Sequence, residues 1–315
     1  MRIAPGEIRF GIHAGPQHTT YADYRDLWLW AEEVGFDWVS VFDHFIPIQT
    51  DPEGPCFEGL TLLSALAAQT KRVRCGILVV GNTYRHPAVL ANIAATIDHV
   101  SGGRVELGVG AGWWEMEHEQ YGIELPPIGR RIRMLGETLP ILKSLWSEHR
   151  TTFEGRYYRL ENALCEPKPV QPGGIPLWVG GAGEQLTLKA VAESADGWNT
   201  FFMPPDAYQH KLDVLAAHCQ RIGRDPNEIR KSLVLGGVVA RTEAEVEARM
   251  AQGHNRAGVS GTPAQVVEQL LPYVRLGVGD FIFGARHPAD TESLELIAKE
   301  VAPLLRERAR GLLPA

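Results

Sequence analysis

Cysteine is scarce and unpatterned in this chain. Four occur in 315 residues, Cys56, Cys75, Cys165 and Cys219, and no two of them form a CxxC pair. Neither a disulfide framework nor a zinc cage is expected from them. No apolar run reaches bilayer-spanning length, and the opening MRIAPGEIRFGIH lacks the apolar core of a signal peptide. A cytoplasmic protein with no membrane association is expected. Lys and Arg do not cluster along any one face, and the net charge is -7, which argues against a nucleic-acid partner. Several catalytic signatures are missing too: there is no HExxH, no GxSxG elbow and no P-loop. Glu115 and His118 form a lone ExxH, short of the two that a di-iron bundle needs, so no metal is expected.

The chain does have a repeating rhythm. Apolar strand candidates run over Ile8 to His13, Trp38 to His44, Arg74 to Val80, Val105 to Val109, Ile175 to Gly180, Gly197 to Phe201, Ser232 to Ala240 and Asp280 to Gly284, and helical sequence follows each of them. Such alternation predicts a parallel sheet with crossover helices. Eight units with an apolar first strand and a long last helix fit a closed (β/α)₈ barrel better than an open sheet. The rhythm breaks once. Thr151 to Gly174 is rich in Pro, Tyr, Arg and Glu, and TFEGRYYRL within it predicts a hairpin turning at Glu154 and Gly155. Residues 1–315 are therefore expected to form one barrel domain with an insertion at about 151–174, after the fourth βα unit.

The ends of the strands carry the candidate chemistry, since in a barrel they face one mouth. The fourth strand runs out through RVELGVGAGWWEMEHEQYGI, where Gly110, Ala111 and Gly112 leave room for backbone to approach a flat or phosphorylated ligand. Trp113 and Trp114 could wall that site. Glu115, Glu117, His118 and Glu119 read as a solvated polar turn. Asp43 and His44 close the second strand; a histidine with a carboxylate beside it suits acid/base work, and a plain turn with an exposed histidine fits equally well. Gly81 and Asn82 break the chain after the third strand. The helix beyond begins at Pro87, which leaves its amino end open to an anion. Gly180, Gly181, Ala182 and Gly183 form a second glycine loop leading into a helix, an anion seat in principle. It is not a dinucleotide fingerprint, because Leu186 stands where the third glycine of GxGxxG would fall.

Together these blocks resemble the luciferase-like flavin and deazaflavin oxidoreductases, in the branch that uses coenzyme F420. The resemblance is carried by GFDWVSVFDHF, by GNTYRHPAVLANIAATIDHVSGGRVELGVGAGWWEMEHEQYGI, by PLWVGGAGEQLTLKAVAESADGW, by AHCQRIGRDPNEI and by GTPAQVVEQL, in the family's order. It implies a homodimeric (β/α)₈ barrel that transfers hydride between F420 and a small-molecule substrate; an FMN-dependent monooxygenase of the same superfamily is the alternative. By position, Asp43 matches a residue contacting the cofactor ring, and His44 matches the base of the family's sugar-phosphate dehydrogenases. Val80, Gly81 and Asn82 match a bulge that often holds a non-prolyl cis peptide against the ring. Gly110, Ala111 and Gly112 match the loop beside the ring, and Gly180 to Gly183 a loop near the phosphate tail. One departure stands out. Those dehydrogenases carry a glutamate proton donor at the position of Ala111.

Overall fold

The computed structural model describes residues 7–48, 50–251 and 258–312. Its strands are β1 (Arg9–Ala14), β2 (Trp38–Val41), β3 (Arg74–Gly81), β4 (Val105–Gly110), a hairpin of β5 (Thr151–Glu154) and β6 (Arg159–Ala163), then β7 (Leu177–Gly180), β8 (Gly197–Phe201), β9 (Arg230–Val239), β10 (Gly258–Gly261) and β11 (Val278–Ala285). The helices are α1 (Tyr21–Val34), α2 (Gly59–Gln69), α3 (Pro87–Ser101), α4 (Glu115–Tyr121), α5 (Ile128–Ser147), α6 (Thr187–Ser194), α7 (Pro205–Ile222), α8 (Glu243–Ala251), α9 (Pro263–Arg275), α10 (Thr291–Leu296) and, after a wider turn over Ile297–Val301, α11 (Ala302–Arg308). None of the described helices is long and apolar enough to cross a membrane.

Strands β1, β2, β3, β4, β7, β8, β9 and β11 pair in parallel, in that order, and β11 returns to β1. This is the closed (β/α)₈ barrel. The antiparallel β5–β6 hairpin lies between the fourth and fifth barrel strands, where the insertion is expected. Strand β10 is a departure from the sequence reading. GVSG offers one large apolar side chain, too little to read as a strand, yet it pairs with the far half of the long β9 from Gly236 to Val239. Several boundaries also move. The second strand stops at Val41, so Asp43 and His44 lie in the loop beyond it, and the helix after the second glycine loop, α6, begins only at Thr187. Of the tryptophans in helical segments, Trp28 and Trp146 are buried in the core, and Trp30 packs partly buried against it.

A large apolar layer fills the space between barrel and helices, while the barrel bore is packed differently. Its floor is ionic. Arg9 donates to Asp280 at 2.5 Å and to Glu106 at 2.6 Å; Arg74 also donates to Glu106, Arg230 to Asp280 at 2.5 Å, and Trp178 Nε1 to Glu106 at 2.8 Å. Above this lie the rings of Trp38 and Trp178, with centroids 5.4 Å apart. Glycine makes room for them: a Cβ on Gly197 would fall 2.3 Å from the Trp178 ring, and one on Gly76 would fall 2.1 Å from Trp38. Only the upper bore is left for a site. A fully buried ionic floor is tolerable because every carboxylate oxygen is matched by a cation, and removal of one partner is costly.

Burial opposes ionisation of Glu106, but Arg9 and Arg74 overcome it and hold the carboxyl down to about 2, from an ordinary 4.5. A depressed carboxyl contributes stability above its unfolded pKa and loses it as pH falls through the folded value. Urea unfolding stepped from pH 4.5 to 2 should therefore show wild type losing about 3 kcal/mol more than Glu106→Gln. Parallel curves would show that Glu106 does not carry this charge.

Candidate active site at the barrel mouth

The loop after β2 places Asp43 and His44 at the carboxyl end of the barrel, and α4 folds over them. Asp43 is 1% exposed. Its Oδ2 accepts from Arg85 Nη1 at 2.7 Å and from the Gly81 amide at 3.0 Å, and its Oδ1 accepts from Arg85 Nη2 at 2.9 Å. Burial pushes this carboxyl above its usual range while Arg85 and the Gly81 amide pull against it. Arg85 is shared with Glu58. Asp43 thus presents no free edge to a ligand and instead braces the backbone at the end of β3.

His44 is set by a different carboxylate. Its Nδ1 lies 2.9 Å from Glu117 Oε2, which also accepts from the Tyr84 hydroxyl. The other oxygen, Oε1, accepts from the amides of Phe45 and Ile46, the latter at 3.2 Å. Burial opposes ionisation of Glu117, but the bonds from His44, Tyr84 and the Phe45 amide hold its pKa below the usual range. A carboxylate can only accept, so the neutral imidazole carries its hydrogen on Nδ1 and leaves Nε2 bare. That nitrogen has no described protein partner and is not sealed from solvent. The imidazole edge meets Phe42 and Trp113, and Trp113 is 50% exposed at the rim. Phe201, 76% exposed at the end of β8, offers another apolar surface at the mouth.

The polar turn read from the sequence is therefore corrected. Glu117 and His118 are buried on α4, whereas Glu115 and Glu119 are exposed. His118 accepts from or donates to Thr83 Oγ1 at 2.7 Å, and its Nδ1 lies 2.7 Å from the Trp114 carbonyl. Thr83 in turn crowds Gly112, whose φ of 79° and 2.6 Å Cβ clearance from Thr83 Oγ1 both require glycine.

The glycines of β4 and β7 serve a side chain as well as any ligand. A Cβ on Gly110 would come within 2.6 Å of Val79, and one on Gly180 within 2.8 Å. Val79 fills that space and stands partly exposed in the bore, while Val80 turns outward into the buried layer under the helices. The non-prolyl cis peptide joins Leu78 to Val79, just before the expected Val80 to Asn82 bulge. Gly81 packs under the Tyr84 ring. Asn82 is committed on both sides: its Oδ1 accepts from Thr138 at 2.7 Å and its Nδ2 donates to the Tyr158 hydroxyl at 3.3 Å. Tyr158 belongs to the inserted hairpin, so this contact ties the insertion to the mouth. Ala111 is partly exposed beside Gly112.

In the second glycine loop, the Gly181 amide is spent on the Asn199 carbonyl at 3.0 Å. The amides of Ala182 and Gly183 have no described protein acceptor. A three-residue turn separates this loop from α6, so its free amides, not the helix end, form the seat. The sequence reading passed over Arg131. It is 9% exposed, and its Nε and Nη1 are sealed with no described partner. It shares the inward face of α5 with Leu135 and Thr138. Thr138 meets Asn82 at the end of β3, and Arg131 lies two turns, about 10 Å, nearer the start of the same helix. A guanidinium buried without acceptors is costly, which marks a place for an anion.

Comparison with known proteins decides the family. The profile of the luciferase-like monooxygenases matches residues 3–257. The chain belongs to that family. A relative from Microbacterium testaceum, named F420-dependent glucose-6-phosphate dehydrogenase, is 28% identical over 96% of this chain and 98% of its own length. Among solved structures, an F420-dependent secondary alcohol dehydrogenase in complex with an F420-acetone adduct superposes with a TM-score of 0.81 at 21% identity, covering 95% of this chain and 99% of that one. The coenzyme F420 dependent tetrahydromethanopterin reductase from Methanopyrus kandleri gives 0.78 at 19% identity, covering 95% and 99%. At such identities the two structures bear on the fold.

In this luciferase-like barrel, Glu117 should matter for stability and its neighbours on α4 should not. Glu117→Gln is expected to lower the unfolding free energy by about 2 kcal/mol. Glu115→Gln and Glu119→Gln should stay within about 0.5 kcal/mol of wild type. Equal effects in urea unfolding would contradict the buried hub.

Proposed function

We propose that this chain exchanges hydride between the deazaflavin coenzyme F420 and a small organic substrate, with His44 handling the substrate proton. The bare Nε2 of His44, backed by buried Glu117 and open to the mouth, is the observation that carries the reading. The near full-length F420-dependent relative supports the choice of cofactor.

The residues present fit such a group. Its phosphate would lie against the orphaned Arg131 guanidinium and the free amides of Ala182 and Gly183, and its ring against Val79, Gly110, Ala111 and Gly112. When bound, the deazaflavin supplies a carbon that gives or takes a hydride. The protein does the rest. Val79 forms the inner wall, Trp113 and Phe201 keep water from the mouth, and the Asp43–Arg85 pair fixes the Gly81 backbone beneath. His44 takes or returns a proton at Nε2, while Glu117 keeps the imidazole in one tautomer. The position of Ala111 supplies no carboxylate, and Glu117 cannot replace one because it is wholly buried behind His44. The substrate is thus read as different from the glucose 6-phosphate of the relative named above. A homodimer completes the reading, on the strength of the resemblance.

Fluorescence titration of the purified chain with F420 and FMN in parallel should give saturable, tighter binding of F420. Arg131→Met should weaken it by about tenfold or more. His44→Asn should leave binding intact and slow hydride transfer by roughly 100-fold. Preference for FMN would overturn the cofactor, and unchanged affinity in Arg131→Met would overturn the phosphate placement.

A further inference from the structure

A second imidazole faces the same mouth. Along β1 the alternate residues Arg9, Gly11 and His13 face the bore. Arg9 is consumed in the floor, and Gly11 lies against Trp38. His13, at the open end, has its Nδ1 3.0 Å from Ser40 Oγ, across the β1–β2 ladder that aligns the two residues. The Ser40 hydroxyl donates to the Ile12 carbonyl at 3.3 Å, so its oxygen is left to accept from His13. His13 therefore carries its hydrogen on Nδ1, as His44 does. Its Nε2 has no described protein partner and is not sealed from solvent.

Two bare imidazole nitrogens thus stand close together, one at the end of β1 and one in the loop that follows the neighbouring β2. Of the titratable groups around His13, His44 is the one whose charge it feels. Burial and that neighbour push His13 down to about 4, so it is neutral at ordinary pH. Two acceptors cannot satisfy each other. Hydroxyl groups of a ligand can satisfy both, whereas a carbonyl oxygen is itself only an acceptor and meets two lone pairs. We propose that His13 is a substrate-binding residue whose Nε2 accepts a hydrogen bond from a hydroxyl adjacent to the one that faces His44, so that the substrate is a vicinal diol or polyol. This deepens the proposed function and rests on His44 facing the substrate.

The test uses the purified full-length chain, labelled with ¹⁵N-histidine, with propane-1,2-diol, propan-2-ol and acetone as probes. Long-range ¹H–¹⁵N spectra should show hydrogen on His13 Nδ1. The diol should shift the His13 Nε2 signal saturably and bind roughly fivefold more tightly than propan-2-ol, a difference of about one hydrogen bond. Acetone should leave that signal unmoved. In His13→Leu the preference, followed on the His44 signal, should vanish. Ser40→Ala, which leaves both imidazoles in place, should scramble the His13 tautomer and reduce the preference. Equal affinity for diol and monoalcohol, an unmoved His13 nitrogen, or a preference that survives in His13→Leu would each overturn the proposal. The F420 titration on the same variants reads the cofactor separately: His13→Leu should bind F420 as wild type does, and failure of F420 to bind wild type would remove the cofactor reading while leaving the diol result standing.

Discussion

The mouth depends on the carboxylate of Glu117. One buried side chain collects bonds from the His44 imidazole, the Tyr84 hydroxyl and the amides of Phe45 and Ile46. It thereby fastens α4 to the loop after β2 and to the segment after β3. The same contact sets which nitrogen of His44 is bare. Structure and chemistry here share a single charge, because a carboxylate satisfied by four donors is both a tether and an orienting acceptor.

Beneath it, the bore is divided by physical character. A floor of matched charges and a layer of two indoles fill the lower barrel, and glycines at Gly76 and Gly197 exist to admit those indoles. The upper bore keeps small residues and two imidazoles. Polar side chains there are mostly occupied: Asp43 by Arg85, Asn82 by Thr138 and Tyr158, Asn199 by Ser232. Among the described residues treated above, the uncommitted groups divide into two imidazole nitrogens at the ends of β1 and β2 and, beyond β4 and β7, a guanidinium and two amides. Such a division suits a ligand with a reacting end and an anionic end.

Much of the barrel was legible because its strands are buried on both faces and read as apolar runs separated by helical sequence. The insertion was visible because its composition breaks that rhythm. Strand β10 was not, since its pairing comes from the overhang of β9 rather than from its own side chains. The site was legible in part. His44 and the glycine loops stand at strand ends, where position alone singles them out. Glu117 was hidden among four polar neighbours, and only the three-dimensional course of α4 turns it inward while Glu115 and Glu119 face water. Arg131 was hidden for a similar reason: it sits in a basic stretch of an amphipathic helix, and nothing in the spacing marks it as the buried one. The role of Val79 against Val80 depends on the backbone turn between β3 and its neighbours, which apolar periodicity does not reveal.

The central claim is that a deazaflavin lies across this mouth, its phosphate on Arg131 and its reacting edge toward His44. A crystal structure of the chain soaked with F420 tests it most directly. Density for the ring against Val79 with the phosphate paired to Arg131 is the expected result. A ring bound outside the barrel mouth, or a phosphate held elsewhere with Arg131 still unpaired, would contradict it.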